Sequence, residues 1–440
     1  MPPVEPGATT AGVVPRRSVR ATYRRLSAPR DSSPTRRRNF EVVQLDSISM
    51  GIMGAASTFL PVFLVRLGGG ALATGILTTL PAIGGLLFGV PLGRLMERRG
   101  HVVRWYSVSR FVVTWAYALT ALIALVAAPD LVVPLCLLAW ALVMLPQTIG
   151  QVTFPIVMDG AAGPQGRYDL LGRRWALMGL GSAISVAIAG YVLDILGMPT
   201  GYELVMVSGT VAGIGCYHWS RQIRIDADAP PPPPSANTAG LPAGMHLRAQ
   251  RPFLAFVTRK AVFVAGVRLV APLLPLFYVR TLGASDAWIG IIAMAQSLAL
   301  VAGYAFWRRG ARRLDPRRVL FVTLGISGAM PAMLAFTSSP EVVAVLSAIG
   351  AFFAAGSDLA LFDELMRRIP RDQAVTFAGV DYALTNLAGI IAPLVGAVLV
   401  GVLDIQLALV AGALVSLAGL GLFVRAARAV PPTTAMSATG

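Results

Sequence analysis

Position 268 is an arginine set deep in an apolar run. It lies ten residues into the stretch 258–279, which at 1.5 Å per residue puts it about 15 Å from the start of that stretch. Even the lower estimates put an unpaired guanidinium at such a depth in hydrocarbon at about 2.5–3.5 kcal/mol. Arg268 is therefore expected to face a cavity, with Gly54, the equivalent position 214 residues earlier, leaving room for a ligand opposite it. A planar, permanently charged fork suits a carboxylate or a phosphate, so an anionic or zwitterionic solute is preferred over a cation or a neutral sugar. The other reading has Arg268 held permanently by Asp358 or Asp381. Asp46, Lys260, Asp358 and Asp381 also sit in apolar segments, within about two helical turns of one end. Ionisable groups there mark a pathway or a gate. Asp46 and Lys260 are 214 residues apart, and they are expected to pair when that end closes and to part when it opens. Asp358 competes for the lysine and can take a coupling proton. Gln147, Gln151, Gln296 and Asn386 add neutral polar groups for binding, alongside Ser47 and Ser57. Arg110, one turn into its segment, is expected to snorkel to headgroups.

These residues need elements that can hold charge in oil. The chain of 440 residues is 55% hydrophobic and only 13% charged, with a mean hydropathy of +0.69. That places it in a bilayer. About 20 apolar residues cross roughly 30 Å of hydrocarbon. Twelve such segments can be placed, at 44–66, 72–95, 105–127, 131–157, 174–196, 201–219, 258–279, 286–307, 318–338, 341–363, 375–399 and 404–424. The formal charge of +16 would suggest nucleic acid in a soluble protein, but nine of the 37 basic residues lie in the first 40 and most others in alternate loops. The opposite loops carry only Arg66 and Arg280. That asymmetry excludes a nucleic-acid role and predicts both termini in the cytoplasm of a cell (inner or plasma) membrane protein. Cys136 and Cys216 fall inside segments as small buried hydrophobes. No metal-ligand spacing exists among His101, His218 and His246, and no nucleophile-base-acid set is recognisable. The only lysine, Lys260, lies in Thr-Arg-Lys-Ala and not in the Gly-Lys-Ser/Thr of a nucleotide loop. Neither an enzyme nor a cofactor is expected.

The chain also repeats itself. LPVFLVR at 60–66 returns as LPLFYVR at 274–280, GRLMERRG at 93–100 as GYAFWRRG at 303–310, and Trp175-Ala176-Leu177 is answered by Tyr382-Ala383-Leu384. Between segments six and seven lies a proline-rich stretch that cannot pack a core. The expected organisation is a disordered basic tail at 1–40, a six-helix bundle at 41–218, a linker at 219–250, a second six-helix bundle at 251–428 and a tail at 429–440. An even number of spans per half makes the repeat parallel, about an axis along the membrane normal. On segment 2, Gly85, Gly89 and Gly93 recur every four residues, as Ala388, Ala392 and Gly396 do on segment 11. Such stripes let backbones approach closely.

The run Gly93-Arg94-Leu95-Met96-Glu97-Arg98-Arg99-Gly100-His101 resembles the signature of the major facilitator superfamily, Gly-x-Leu-x-Asp-Arg-x-Gly-Arg-Arg, between helices 2 and 3. It fits at Gly93, Leu95, Arg98 and Gly100, with Glu97 for the aspartate, while His101 and Val102 replace the basic pair. With the twelve segments, the linker and the echo at 303–310, the resemblance covers about residues 40–425. It implies an all-α membrane protein of two six-helix bundles related by a pseudo-twofold axis, with a cavity lined by helices 1, 4, 7 and 10. It also implies that helices 2 and 11 meet between the halves, and that access alternates. In the family the first base of the pair bridges to the acid ending helix 4, here Asp159, and this chain offers His101 instead. Glu97 either faces the amino end of segment 11, where free N–H groups favour an acid by about 0.3–1 kcal/mol, or is a solvated loop acid. Segment 5 has Gly179, Gly181 and Gly190 but no proline, so it lacks the Gly-Pro mark of drug/proton antiporters. The expected function is secondary active transport of a small organic solute by a monomer, coupled to an ion such as the proton. The alternative is a non-transporting assembly factor or receptor of the same fold.

Overall fold

The computed structural model describes residues 33–99, 101–163, 166–225, 251–310, 314–368 and 374–429. Among the described residues its helices form twelve successive rods. They are α1 (Pro34–Arg66), α2 (Ala71–Arg99), α3 (Val102–Val126), α4 (Pro129–Leu142 continuing as Met144–Ala162), α5 (Arg167–Leu196) and α6 (Thr200–Ser220) in the first half. The second half has α7 (Arg251–Val270, then Leu273–Leu276 and Phe277–Thr281), α8 (Asp286–Gly310), α9 (Pro316–Ala335), α10 (Pro340–Arg368), α11 (Ala374–Val402) and α12 (Ile405–Ala429). Eleven are long and apolar enough to cross a membrane. The exception is α6, which Glu203, His218 and its glycines, serines and threonines dilute. No strand occurs among the described residues.

Several helices run beyond their apolar windows. At 33 residues, α1 is about 50 Å long at 1.5 Å per residue, well over the hydrocarbon thickness of about 30 Å. It begins at Pro34, seven residues inside the stretch expected as tail, because Ser33 caps it by accepting from the Arg36 N–H and proline suits the first turn. Residues 1–32, the linker residues 226–250 with His246, and residues 430–440 lie outside the described residues.

Prolines shape two passes. In α4 the break at Val143 precedes Pro146, which has no N–H for the Leu142 carbonyl. In α7, Pro272 and Pro275 likewise release the carbonyls of Arg268 and Ala271, and the chain continues through a short turn into a π-helical stretch, Phe277–Thr281. Backbone of this kind is tolerated at membrane depth only against protein or a wet cavity.

Each half packs as a bundle, with α1 on α5 and α6 in the first, and α8 on α10 and α7 on α12 in the second. The halves meet along two seams, α5 with α8 and α2 with α11. These seams are the same contact repeated, since α2 corresponds to α8 and α5 to α11 in the duplication. Small residues make both seams close. A Cβ at Gly190 would fall 2.6 Å from the Asp286 carbonyl oxygen and 3.0 Å from Gly290 Cα, and one at Gly85 would fall 2.8 Å from Tyr382 Oη. The expected stripes are only partly right. Gly93 faces Val152 of α4, and Gly396 packs on Leu269 of its own half.

The distribution of the core is uneven. At the end far from the termini, one apolar cluster is shared by both halves, from Phe59, Phe63 and Tyr202 to Leu273, Phe277 and Leu409. At the end carrying the termini there are two clusters. One, around Phe40, Met158 and Leu170, is confined to the first half, and the other, around Phe253, Phe256 and Phe377, to the second. The bundles are therefore packed together at the far end and parted at the terminal end.

Candidate functional site

Three groups of polar side chains are mounted on this frame. The first lies at the far end and is built from the repeated phrase. The two phrases end in Arg66 and Arg280, and each arginine reaches into the other half. Arg66 Nη2 donates to the Ala284 carbonyl at 2.9 Å and to Asp286 Oδ1 at 3.1 Å. Arg280 Nη2 donates to the carbonyls of Gly68 at 3.3 Å and Gly69 at 3.0 Å. Gly68 has φ +87° and Gly283 φ +60°, left-handed values that glycine adopts freely and that turn each loop after its helix. Tyr202 Oη donates to Asp286 Oδ1 at 2.7 Å, and Asp194 accepts from the Ala287 N–H at 3.2 Å, in the first turn of α8. An acid is favoured at such a helix start.

The second group lines the second half. Lys260 of α7 sits between both oxygens of Asp381 of α11, at 2.7 Å each. Tyr304 Oη of α8 donates to Asp358 Oδ2 of α10 at 2.9 Å, and the charges of Arg268 and Lys260 act on the same carboxylate. Both Arg268 and Asp358 are exposed. Arg268 therefore stands beside the break in α7, with an acid in electrostatic reach but in no ion pair among the described residues.

The third group is buried in the first half. Asp46, fully buried, gives Oδ1 to Arg110 and Oδ2 to Arg174, each at 2.7 Å. Arg110 also donates to Tyr106 Oη at 2.9 Å, and Arg174 lies over the Phe154 ring at 5.0 Å. This overturns one expectation. Arg110 turns inward to Asp46, because an acid one helix away offers better solvation than headgroups beyond its reach.

Asp46 and Lys260 are not brought together; each is held within its own bundle. The acid on the lysine is Asp381, with Asp358 engaged by Tyr304. Gln151 is exposed on α4, and Gln147 lines a cavity of about 260 Å³ with Ser57, Tyr117 and Trp140. Gln296 belongs beside Tyr278 and Ser347 of the second half. Asn386 is placed on the α2–α11 seam beside Gly85, donating to the Tyr382 carbonyl. Gly54, expected to leave space opposite Arg268, instead packs on α5, where a Cβ would fall 2.7 Å from Ser182 Oγ. Asp159 is exposed near the end of α4. The side chains of Glu97 and Arg98 and the segment before α11 lie outside the described residues.

Sequence reasoning missed Arg174, Tyr202, Asp286 and Tyr304. Arg174 opens the apolar window 174–196 and so reads as a loop base, whereas the helix α5 starts seven residues earlier. Asp286 stands at a segment boundary, where an acid reads as solvated. Tyr202 and Tyr304 gave no signal, since a tyrosine in an apolar helix reads as packing.

Residues 260–439 match the profile of a family described as Major Facilitator Superfamily. No curated protein matches the chain in sequence. Among solved structures, a mutant of the nucleoside transporter NupG is similar with a TM-score of 0.69 at 14% identity, covering 88% of this chain and 99% of that one. A bacterial homologue of the iron transporter ferroportin in an inward-facing state gives 0.67 at 15% identity, covering 90% of this chain and 99% of that one. A bacterial homologue of the human lysosomal transporter Spinster, inward-facing and occupied, gives 0.66 at 14%, covering 91% and 98%. The second half thus carries the superfamily's sequence profile, and both halves share the fold of these solved transporters. The chain is a multi-pass membrane protein that shares its fold with these solved transporters.

Proposed function

We propose that this chain, built on the major facilitator fold, is a secondary active transporter that moves a small organic solute by alternating access. The observation that carries the proposal is the uneven joining of the halves: one shared core and reciprocal arginine contacts at the far end, two separate cores at the terminal end. A pair of bundles closed at one end and parted at the other is one of the two states that alternating access requires. The crowding of arginines on the terminal side supports placing that side in the cytoplasm of a cell membrane, so the state described is open inward. The protein works as a monomer in this reading.

Arg268 is the residue assigned to the solute. It is exposed, free of ion pairs among the described residues and set at a proline-broken helix, and it suits a carboxylate or phosphate. Asp358 is the assigned proton carrier, being an exposed acid held by a neutral hydroxyl and acted on by two cations. Lys260 and Asp381 tie α7 to α11 and so transmit movement of α7 to the seam with α2. Gln147, Gln151 and Gln296 supply neutral hydrogen bonds. Asp46 is locked by two arginines, so its meeting with Lys260 in the opposite state would leave both guanidiniums buried without their acid.

The test is flux into proteoliposomes of a panel of radiolabelled carboxylates, phosphates, zwitterions and neutral solutes, with and without an imposed proton gradient. Gradient-driven uptake of an anionic or zwitterionic solute, lost in Arg268→Gln and weakened in Arg268→Lys, is expected. No uptake of any solute by folded protein would favour a non-transporting receptor or assembly factor. Uptake unchanged in both variants would remove Arg268 from the site and the anion preference with it.

A further inference from the structure

The Asp46, Arg110 and Arg174 cluster carries more positive charge than it can satisfy. Two guanidiniums meet one carboxylate, whose two oxygens are each spent on one arginine at 2.7 Å. The side chain of Asp46 is 0% exposed and that of Arg174 2%, so bulk water does not screen the remaining charge. The groups acting electrostatically on Arg110 are Asp46, Tyr106 and Cys216, with no second carboxylate among them. The spare donors are poorly used. Arg110 Nη2 and Arg174 Nη2 both rest on the thioether of Met50, at 3.6 and 3.2 Å, and sulfur of this kind is a weak acceptor. Arg174 Nε is buried with no partner. Buried donors left unpaired are rare and call for a missing partner. An orphaned N–H alone could be met by a water, but water does not remove a net charge.

We propose that this cluster is a binding site for a compact monovalent anion, a halide or a carboxylate, held between the guanidiniums of Arg110 and Arg174 on the side where Met50 now stands. Met50 is unbranched and flexible, so its thioether can swing off the two arginines. Arg110, with its side chain 12% exposed, gives the ion its way in. The site is separate from Arg268, which lies in the other half. It fixes α1, α3 and α5 to one another whichever end of the protein is open.

The experiment is thermal unfolding of the purified full chain in sodium bromide or sodium acetate, titrated against sodium gluconate at constant ionic strength. Saturable stabilisation by bromide, by acetate or by both is expected, and the pattern separates a bulk halide from a solute carboxylate as the occupant. Asp46→Asn removes the competing negative charge and should tighten the apparent affinity by tenfold or more, while Arg174→Gln should abolish the response. Should Arg174→Gln fail to fold, the Asp46→Asn shift and an anomalous bromide peak beside the two guanidiniums in a crystal decide the matter. Unfolding indifferent to both anions, or a response unaltered in Asp46→Asn, overturns the proposal. So does a response that appears only in Cys216→Ala, which would make a thiolate the counterion in the wild type.

Discussion

Arg66→Ala is expected to open the far end of the molecule. The contacts it removes join two halves and exist only while that end is shut, so their loss acts on the equilibrium between states and not on the folding of either bundle. Arg66 gives one charge-assisted bond, to Asp286, and one bond to the Ala284 carbonyl. The side chains are 27% and 11% exposed, between the surface pair worth about 0–1 kcal/mol and the buried charged hydrogen bond worth about 1.5–3 kcal/mol. A loss of about 2 kcal/mol follows, which is roughly a thirtyfold change in the ratio of closed to open forms at about 1.4 kcal/mol per factor of ten. The assay is double electron–electron resonance between spin labels at Ala128 and Ser338, exposed residues in far-end loops of opposite halves, with Cys136 and Cys216 replaced by alanine. Wild type should give one short distance, and Arg66→Ala should add or move to a longer one. Arg280→Ala should act in the same direction, and the double variant more strongly than either. An Arg66→Ala distribution superimposable on wild type would refute the reasoning, since the arginine would then hold nothing shut.

Other outcomes follow from the same geometry. Gly190→Val should force α5 from α8, because even a Cβ meets the Asp286 carbonyl at 2.6 Å, and the same label pair should lengthen, whereas Gly172→Ala, in open space, should change nothing. The swap Lys260→Asp with Asp381→Lys should recover activity lost in each single variant, while Asp46→Lys with Lys260→Asp should not, as measured by flux of whatever solute the panel identifies. Asp46→Leu leaves two arginines without their acid in the first half and should destabilise that bundle by about 3–5 kcal/mol, read as a fall in unfolding temperature. A cysteine at Ala128 should react with an impermeant reagent added to intact cells, and one at His218 should not; the reverse pattern would invert the orientation.

The sequence disclosed the architecture because hydrocarbon imposes a rule that composition obeys. Twelve windows, a one-sided distribution of arginines and a phrase repeated at an interval of 214 residues each follow from local residue type. Even the oddity that Arg66 and Arg280 alone break the charge rule proved structural, since they are the two that cross between the halves. Partners across helices were harder to read. The 214-residue spacing reads Asp46 and Lys260 as equivalent, but equivalence implies matching environments, not contact. Each found a nearer counterion inside its own bundle, Arg174 and Arg110 for one and Asp381 for the other. Whether a deep arginine snorkels or turns inward depends on what the neighbouring helix offers, and Arg110 turned to an acid on α1 that no local window could reveal. Arg268 is exposed, but Gly54, expected to leave space opposite it, serves helix packing on α5.

Alternating access requires that the two ends never stand open together, and one pair of distances tests this without any solute in hand. Spin labels at Gly172 and Met366, on opposite halves near the terminal end, report that end while Ala128 and Ser338 report the far one. In Arg66→Ala, the account predicts that the terminal-end distance shortens in the same fraction of molecules in which the far-end distance lengthens. A far end that opens while the terminal-end distance stays at its wild-type value would contradict it.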